Sequence, residues 1–165
     1  MRRRVVVGIA LAGLLLPAAG DAQMGYGGGP GMMGGPGMMG GPGMMGGSGV
    51  RRAFVMRHGV DAKYAAMASP LPPTAASIQA GRKLYEQNCA ACHGPTGLGN
   101  GPAGANLNPP PANLVGVGRM PMITDGYLYW TIAEGGTQLG TAMPLFEGSL
   151  GDKQIWELVL FLRSL

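Results

Sequence analysis

The spacing of apolar residues predicts three helices in the second half of the chain. The first covers 78–89, and Ser77 is placed to act as its N-cap. The second begins after Thr124, runs to Glu134 and ends at a pair of glycines. The third covers 152–165. The stretch between the first two helices shows no alternating pattern of useful length, so it is predicted to be mostly loop.

Two of these helices carry a well-defined apolar face. On the first helix the face contains a glycine, which would let another helix approach closely, and its members are Ile78, Gly81, Tyr85 and Cys89. On the last helix the inward stripe consists of Ile155, Leu158, Val159, Phe161, Leu162 and Leu165. Glu157 and Ser164 are predicted to face solvent. Leu160 lies outside the stripe, so we expect it either to be exposed or to touch a partner or the upstream part of the chain.

The residues with the clearest chemical signature lie at the end of the first helix. The sequence Cys89-Ala-Ala-Cys92-His93 is a C-x-x-C-H motif, which indicates covalent haem attachment. Each thiol can add to a haem vinyl group and form a thioether, and the two-residue gap places both sulfurs along one haem edge. His93 can then present an imidazole nitrogen to the iron. The motif therefore predicts one haem c, which would also serve as the core that the long loop wraps.

Two other interpretations of the cysteine pair compete with haem. A structural zinc site needs four ligands, and beyond the motif the sequence offers only the distant His58. A thioredoxin-like dithiol would lie at a strand-to-helix turn, and no strand-rich run surrounds Cys89. Both are weaker than the haem interpretation.

The second axial ligand of the iron is predicted to be Met143. It lies in a loop between the last two predicted helices, and Pro144 would stiffen the turn that holds its sulfur. Met120, Met122, His58 and an open position are the alternatives.

The second ring N–H of His93 is expected to donate to a backbone carbonyl. The proline run 109–111 can offer carbonyls without competing N–H groups. One of these three carbonyls is the predicted partner.

Residues 77–165 resemble the class I c-type cytochromes, the monohaem cytochrome c family. The resemblance is carried by Gly81-x-x-x-Tyr85-x-x-x-Cys89, the haem motif followed by Gly94, Leu107-Asn-Pro-Pro-Pro-Ala-Asn-Leu114, Met143-Pro144-Leu-Phe146 and Leu158-Val-Leu-Phe161-Leu162. It implies an all-α fold of three to five helices around one covalently attached haem, with the first and last helices crossing. It also implies thioethers at Cys89 and Cys92 and axial ligands His93 and Met143.

The N-terminal segment 1–22 resembles a secretory signal peptide. Arg2, Arg3 and Arg4 precede twelve apolar residues, and small residues follow for cleavage after Ala22. Twelve apolar residues are too few to span a bilayer, which takes roughly 20. The sequence thus predicts export to the periplasm, with membrane association only if the signal stays uncleaved.

Residues 23–49 form a Gly/Met/Pro-rich tract that is predicted to be disordered, because fourteen of residues 25–49 are glycine. It repeats Gly-Gly-Pro-Gly-Met-Met three times. Thioether sulfur suits Cu(I), so its methionine pairs are a possible copper site. The simpler interpretation is a flexible tether. The methionines are Met32, Met33, Met38, Met39, Met44 and Met45.

The segment 50–76 is predicted to be an arm or linker that lies along the haem domain 77–165. Its expected docking residues are Phe54, Val55, Tyr64 and Met67. This arm is basic, with four cationic residues against one acidic residue in 50–67. The haem domain has five basic and six acidic residues.

No basic patch with interleaved aromatic residues marks the haem domain, so the sequence gives no support for nucleic-acid binding. The predicted function is one-electron transfer between redox protein partners, with no catalytic residue at the haem. The alternative is a haem subunit of a periplasmic dehydrogenase, reductase or oxidase complex.

Overall fold

The computed structural model describes residues 47–165, and this part of the chain is built from helices and loops. No strand forms within it, and the elements follow in the order α1 (Gly47–His58), α2 (Ala62–Ala65), α3 (Ala75–Asn88), α4 (Ala90–His93), a 3₁₀ turn (Pro102–Gly104), α5 (Leu114–Gly118), α6 (Asp125–Glu134), a second 3₁₀ turn (Thr137–Leu139) and α7 (Asp152–Arg163). The all-α prediction is confirmed. Five of the α-helices, α3 to α7, make up the predicted haem domain.

Three sequence predictions fall outside the described residues. These are the signal peptide 1–22, the predicted disorder of residues 23–46, and Cu(I) binding by the six methionines of the repeats. The last three residues of the tract that was predicted to be disordered, 47–49, are instead helical and begin α1. Within residues 47–165, no helix combines the length and the apolar character that crossing a membrane requires.

The predicted crossing of the first and last helices of the haem domain is confirmed in α3 and α7. Gly81 lies at the crossing, where a Cβ atom would collide with the carbonyl of Glu157 and come within 2.9 Å of the Phe161 Cβ. One turn further on, the rings of Tyr85 and Phe161 pack with centroids 5.1 Å apart. The glycine thus sets how closely the two helices approach.

Helix α7 is buried more completely than its apolar stripe predicted. Glu157, expected to face solvent, is only 6% exposed because α3 crosses the helix at this residue. Its carboxylate accepts a hydrogen bond from Lys153 at 2.6 Å, which compensates the buried charge. Leu160 is buried as well, so it is not an exposed residue.

The start of α3 corrects the predicted N-cap. Thr74, not Ser77, is the cap, and its hydroxyl accepts from the Ser77 backbone N–H at 3.1 Å. Ser77 takes the third position of the helix, where its hydroxyl accepts from the Thr74 N–H at 3.0 Å. Both residues are good cap formers, and the reciprocal pair requires the upstream one to be the cap.

The upstream segment packs onto the haem domain through α1 and α2. Tyr64 is fully buried, and the other three predicted docking residues also pack against the core. Gly126 in α6 makes this possible, because a Cβ there would collide with the Tyr64 carbonyl. Helices α1 and α2 therefore contribute to the same hydrophobic core as α3, α6 and α7.

Candidate haem site

A largely apolar cavity opens between α3, the loop 107–114, α6, the loop 136–146 and α7. Its empty volume, with the open mouth included, is ≈ 1180 Å³. The chemistry-bearing side chains that line it are Arg51, Cys89, Cys92, His93 and Met143. The structure thus brings all four predicted haem-binding residues to one cavity.

The haem motif is held in shape by its own neighbourhood. The buried Tyr85 hydroxyl donates to the Gly94 carbonyl at 2.6 Å, which ties the end of α4 back to α3. Gly94 has a φ of +77°, a conformation that favours glycine and lets the chain turn directly after the histidine. The Gly101 N–H donates to the Cys92 carbonyl at 3.1 Å and closes this turn. The cysteines and His93 are therefore fixed by local hydrogen bonds.

His93 has its Nδ1 atom 3.0 Å from the Ala112 carbonyl. The predicted partner among the three proline carbonyls is therefore wrong by one residue, since the carbonyl that meets the ring follows the proline run. Burial lowers the pKa of His93, while the Ala112 carbonyl acts in the opposite direction. A neutral ring that donates from Nδ1 leaves Nε2 with a free lone pair, the form that a metal requires.

Met143 lies on a loop that is anchored at both ends. Its carbonyl accepts from the Gly136 N–H at 2.9 Å, and the Thr141 N–H donates to the Gly136 carbonyl at 3.0 Å. Beyond it, the Phe146 N–H donates to the Ala133 carbonyl at 3.0 Å. These bonds hold the loop against the end of α6 and place the Met143 side chain in the cavity lining.

The other candidate axial ligands lie elsewhere. The Met120 sulfur is 3.7 Å from Arg52 Nη1, and Met122 is 51% exposed. His58 is exposed and stacks on Phe54, with ring centroids 4.7 Å apart. None of these three residues lines the cavity that contains His93.

Burial, and secondarily the neighbouring Cys92, raises the pKa of Cys89 to about 12, so this thiol is neutral and protonated in the absence of its cofactor. Among residues 47–165, no group of three or more His, Cys, Asp and Glu side chains lies together as a metal site. The ligand set of a structural zinc site is therefore not assembled in this range.

Sequence reasoning did not identify Arg51 as a site residue. The side chain belongs to α1, is only 4% exposed and lines the cavity. The available signal was the basic character of the segment 50–67 beside a haem domain with a slight acidic excess. That contrast indicated attraction between the two segments, although it did not single out one arginine.

The residues present fit a covalently attached haem. The thiols of Cys89 and Cys92 lie one turn apart on the cavity wall, and the neutral His93 follows them. Met143 lines the same cavity from the loop 136–146. Apolar side chains from α6 and α7 form much of the remaining surface, including Leu128, Ile132, Leu158 and Leu162. A porphyrin is a flat apolar ligand, and this lining would exclude water from it.

Comparison with known proteins agrees with this geometry. The sequence model of the family described as "Cytochrome C oxidase, cbb3-type, subunit III" matches residues 76–162. No curated protein matches the chain.

Among solved structures, a chain of the reducing HAO-like protein complex from Kuenenia stuttgartiensis is similar, with 31% sequence identity and a TM-score of 0.50. The similarity covers 58% of this chain and 46% of that chain, so the present chain spans less than half of its length.

The family match includes the C-x-x-C-H motif, the crossing helices and the methionine loop, and it extends over more than half of the sequence. The family match explains the cavity and the covalent cofactor. It also supports electron transfer as the role of the domain. The chain belongs to the c-type cytochrome family described as cytochrome c oxidase, cbb3-type, subunit III, and it carries covalently bound haem c.

Proposed function

We propose that this protein transfers single electrons in the periplasm through a haem c whose iron is held by His93 and Met143. The observation that carries the proposal is the composition of the cavity. Among the residues that line it, His93 is the one histidine and Met143 is the one methionine. Histidine and methionine together are the axial ligands of cytochromes c.

In the redox step, the chain positions the ligands of the iron and excludes water from the cavity. Bound haem supplies a one-electron couple at its iron. The Ala112 carbonyl orients the His93 ring, and the Gly136–Met143 hydrogen bond holds the methionine loop. These bonds would hold both side chains in place while an electron is gained or lost, which would keep the reorganisation of the site small.

Periplasmic location is the part of the proposal supported by the sequence. The basic residues 2–4, the apolar stretch and the small residues before Ala22 have the pattern of a secretory signal. Fractionation of cells that express the full chain tests it. Haem-stained protein in the periplasmic fraction, starting after residue 22, is the expected result, and recovery of uncleaved protein in the membrane fraction would contradict it.

The axial ligand is tested by the visible spectrum of the oxidised holoprotein. Methionine-ligated ferric haem gives a weak far-red charge-transfer band, and Met143→Ala is expected to abolish it and to lower the reduction potential. Met122→Ala and Met120→Ala are matched controls, because they remove methionines outside the cavity. Retention of the band in Met143→Ala would assign the ligand elsewhere.

A second candidate role is that of a haem subunit in a larger redox complex. The family description names an oxidase subunit, and the similar structure belongs to a protein complex. The two roles differ in assembly, so the measurement is the native mass of haem-stained protein extracted from its own cells. A species of about the chain's own mass supports a separate carrier, and a stable larger assembly with other redox subunits supports the second role.

A further inference from the structure

Among the described residues, the haem cavity receives one side chain from outside the family-matched segment. Arg51 belongs to α1, upstream of residues 76–162, and it is one of the residues that line the cavity. It is held there by two contacts. Its Nη2 donates to the Gly135 carbonyl, and the guanidinium lies 4.2 Å from the centroid of the Trp130 ring.

These contacts leave the guanidinium incompletely paired. Arg51 Nη1 is buried and has no hydrogen-bond partner among the described residues. Burial lowers the pKa of Arg51, while Tyr127 and Glu134 act in the opposite direction. An arginine nevertheless remains protonated in proteins, so a fixed positive charge stands in a low-dielectric site. Such a charge is costly unless it is paired.

The part of the chain that the structure describes does not supply the missing anion. No Asp or Glu is among the residues that line the cavity, and the loop 135–146 has no charged residue. Glu134, the acid that approaches from α6, is already engaged. Its two carboxylate oxygens accept from Tyr64 Oη at 2.9 Å and from Trp130 Nε1 at 2.8 Å. Among the other cavity groups that titrate, burial shifts the pKa values of His93, Tyr127, Tyr85 and Cys89 toward the neutral forms.

We propose that the Arg51 guanidinium forms an ion pair with a carboxylate of the haem, so that α1 forms part of the cofactor site. Haem carries two propionates, and the arginine fork matches a carboxylate better than any other side chain does. The inference rests on the placement of haem in this cavity. The upstream helix would thereby act as a clamp, since one side chain joins the cofactor, the Gly135 turn and the Trp130 ring.

The pair has a predictable effect on the redox couple. A fixed cation near the haem favours the reduced iron, which carries one positive charge fewer. It also keeps the paired propionate ionised, because a neighbouring opposite charge lowers a carboxyl pKa. Loss of the cation should lower the reduction potential. It should also make the potential fall with rising pH wherever that propionate then loses its proton.

The decisive experiment compares Arg51→Gln with Arg57→Gln in the full-length holoprotein. Arg57 is an exposed arginine in the same helix, so its substitution removes an equal charge at a site remote from the cavity lining. We expect Arg51→Gln to lower the equilibrium constant for reduction about tenfold, which is about 59 mV for one electron. Arg57→Gln should leave the potential unchanged at moderate salt.

Arg51→Lys separates charge from packing. Lysine keeps the cation but not the fork, so the potential should recover most of the way toward wild type. If Arg51→Lys and Arg51→Gln lowered the reduction potential equally, Arg51 would have only a structural role and the proposal would be wrong. Equal potentials in Arg51→Gln, Arg57→Gln and wild type would also overturn it.

The wild-type protein gives a test that does not depend on a variant folding. Resonance Raman bands of the two propionates can be followed during acid titration. One propionate should stay ionised well below the ordinary carboxyl range of about 4, and the other should titrate within it. Two ordinary titrations would refute the pair. The far-red band of methionine ligation, recorded in the same samples, shows separately whether the proposed iron ligands are correct.

Discussion

The two sides of the haem cavity are built differently. The attachment wall, residues 85–114, is held by hydrogen bonds among its own residues, such as Tyr85 to Gly94 and His93 to Ala112. The methionine wall, residues 133–146, has its own turn around Gly136 but also accepts a hydrogen bond from Arg51, which lies 84 positions upstream of Gly135. The first wall is therefore complete within the family-matched segment, while the second depends on a helix outside it.

The largest expected effect comes from removing the covalent attachment. With Cys89→Ala and Cys92→Ala combined, no thioether can form, so the haem should be lost entirely on acid–acetone extraction. Intact mass and the pyridine haemochrome spectrum measure this. Ala91→Ser, an exposed change between the two cysteines, should keep the full haem content. Protein-bound haem that survives extraction in the double variant would contradict the attachment assignment.

Within the methionine wall, substitution of Gly135 is expected to be the most destabilising, because this residue combines a φ of +65° with close packing. An alanine Cβ there would collide with the backbone of Pro144, directly after the methionine. Gly135→Ala should lower the free energy of unfolding by about 3 kcal/mol, from backbone strain and overpacking together. It should also weaken the far-red methionine band at a lower temperature than in wild type.

Gly140 provides the matched control for Gly135. Its φ is +75°, and nothing lies within 4 Å of an added Cβ. Gly140→Ala therefore adds only the conformational cost, roughly 1–2 kcal/mol, without a collision. Gly140 lies in the left-handed region with a ψ of 24°, whereas the ψ of −154° at Gly135 is largely restricted to glycine, so the difference between the two denaturation curves measures the extra strain and the collision at Gly135 together. Equal losses would mean that contact with Pro144 does not determine the geometry of this wall.

The attachment wall can be weakened without touching the iron ligands. Burial raises the pKa of Tyr85 to about 12, so its hydroxyl remains a donor throughout the working pH range. Tyr85→Phe leaves the buried Gly94 carbonyl without this donor and should cost about 2 kcal/mol of stability. The far-red band should persist, because the methionine wall is unchanged.

Tyr127→Phe is the control for this variant, since the Tyr127 hydroxyl makes no hydrogen bond to the other described residues although its ring is buried. We expect it to unfold within about 0.5 kcal/mol of wild type. A loss as large as that of Tyr85→Phe would show that ring packing, not the bond to Gly94, stabilises the motif.

The contrast between the walls also explains which features could be predicted from sequence. The C-x-x-C-H motif and the spacing of Gly81 and Tyr85 are local patterns, and the crossing of α3 and α7 follows from them. Burial of Glu157 could not be predicted, because it depends on which face of α7 the other helix crosses. The role of Arg51 was hidden for a similar reason, since its partners lie far along the chain in α6 and in the methionine wall.

Contacts of single atoms in the loops were also difficult to predict from sequence. The partner of His93 was predicted among the prolines, and the structure places it one residue later, at Ala112. Sequence indicates that a carbonyl-rich loop faces the ring, but which carbonyl points inward depends on the exact turn of the loop. The assignment of Met143 as a ligand is a prediction of the same kind, since it rests on a loop that only the folded chain brings to the cavity.

The smallest expected effect tests how firmly the upstream helices brace the methionine wall. Tyr64→Phe removes the hydroxyl that donates to Glu134 at 2.9 Å and keeps the buried ring. Because Glu134 is only half-buried and its other oxygen still accepts from Trp130, water can replace the lost donor. The loss of stability should be about 1 kcal/mol or less by chemical denaturation. Ala65→Ser, an exposed change in the same short helix, should change the stability by no more than about 0.5 kcal/mol. Rapid amide exchange throughout 47–65 in Tyr64→Phe would instead mean that α1 and α2 had separated from the domain. In that case the single hydrogen bond from the Tyr64 hydroxyl would hold both helices in place, and the position of Arg51 at the cavity would depend on it.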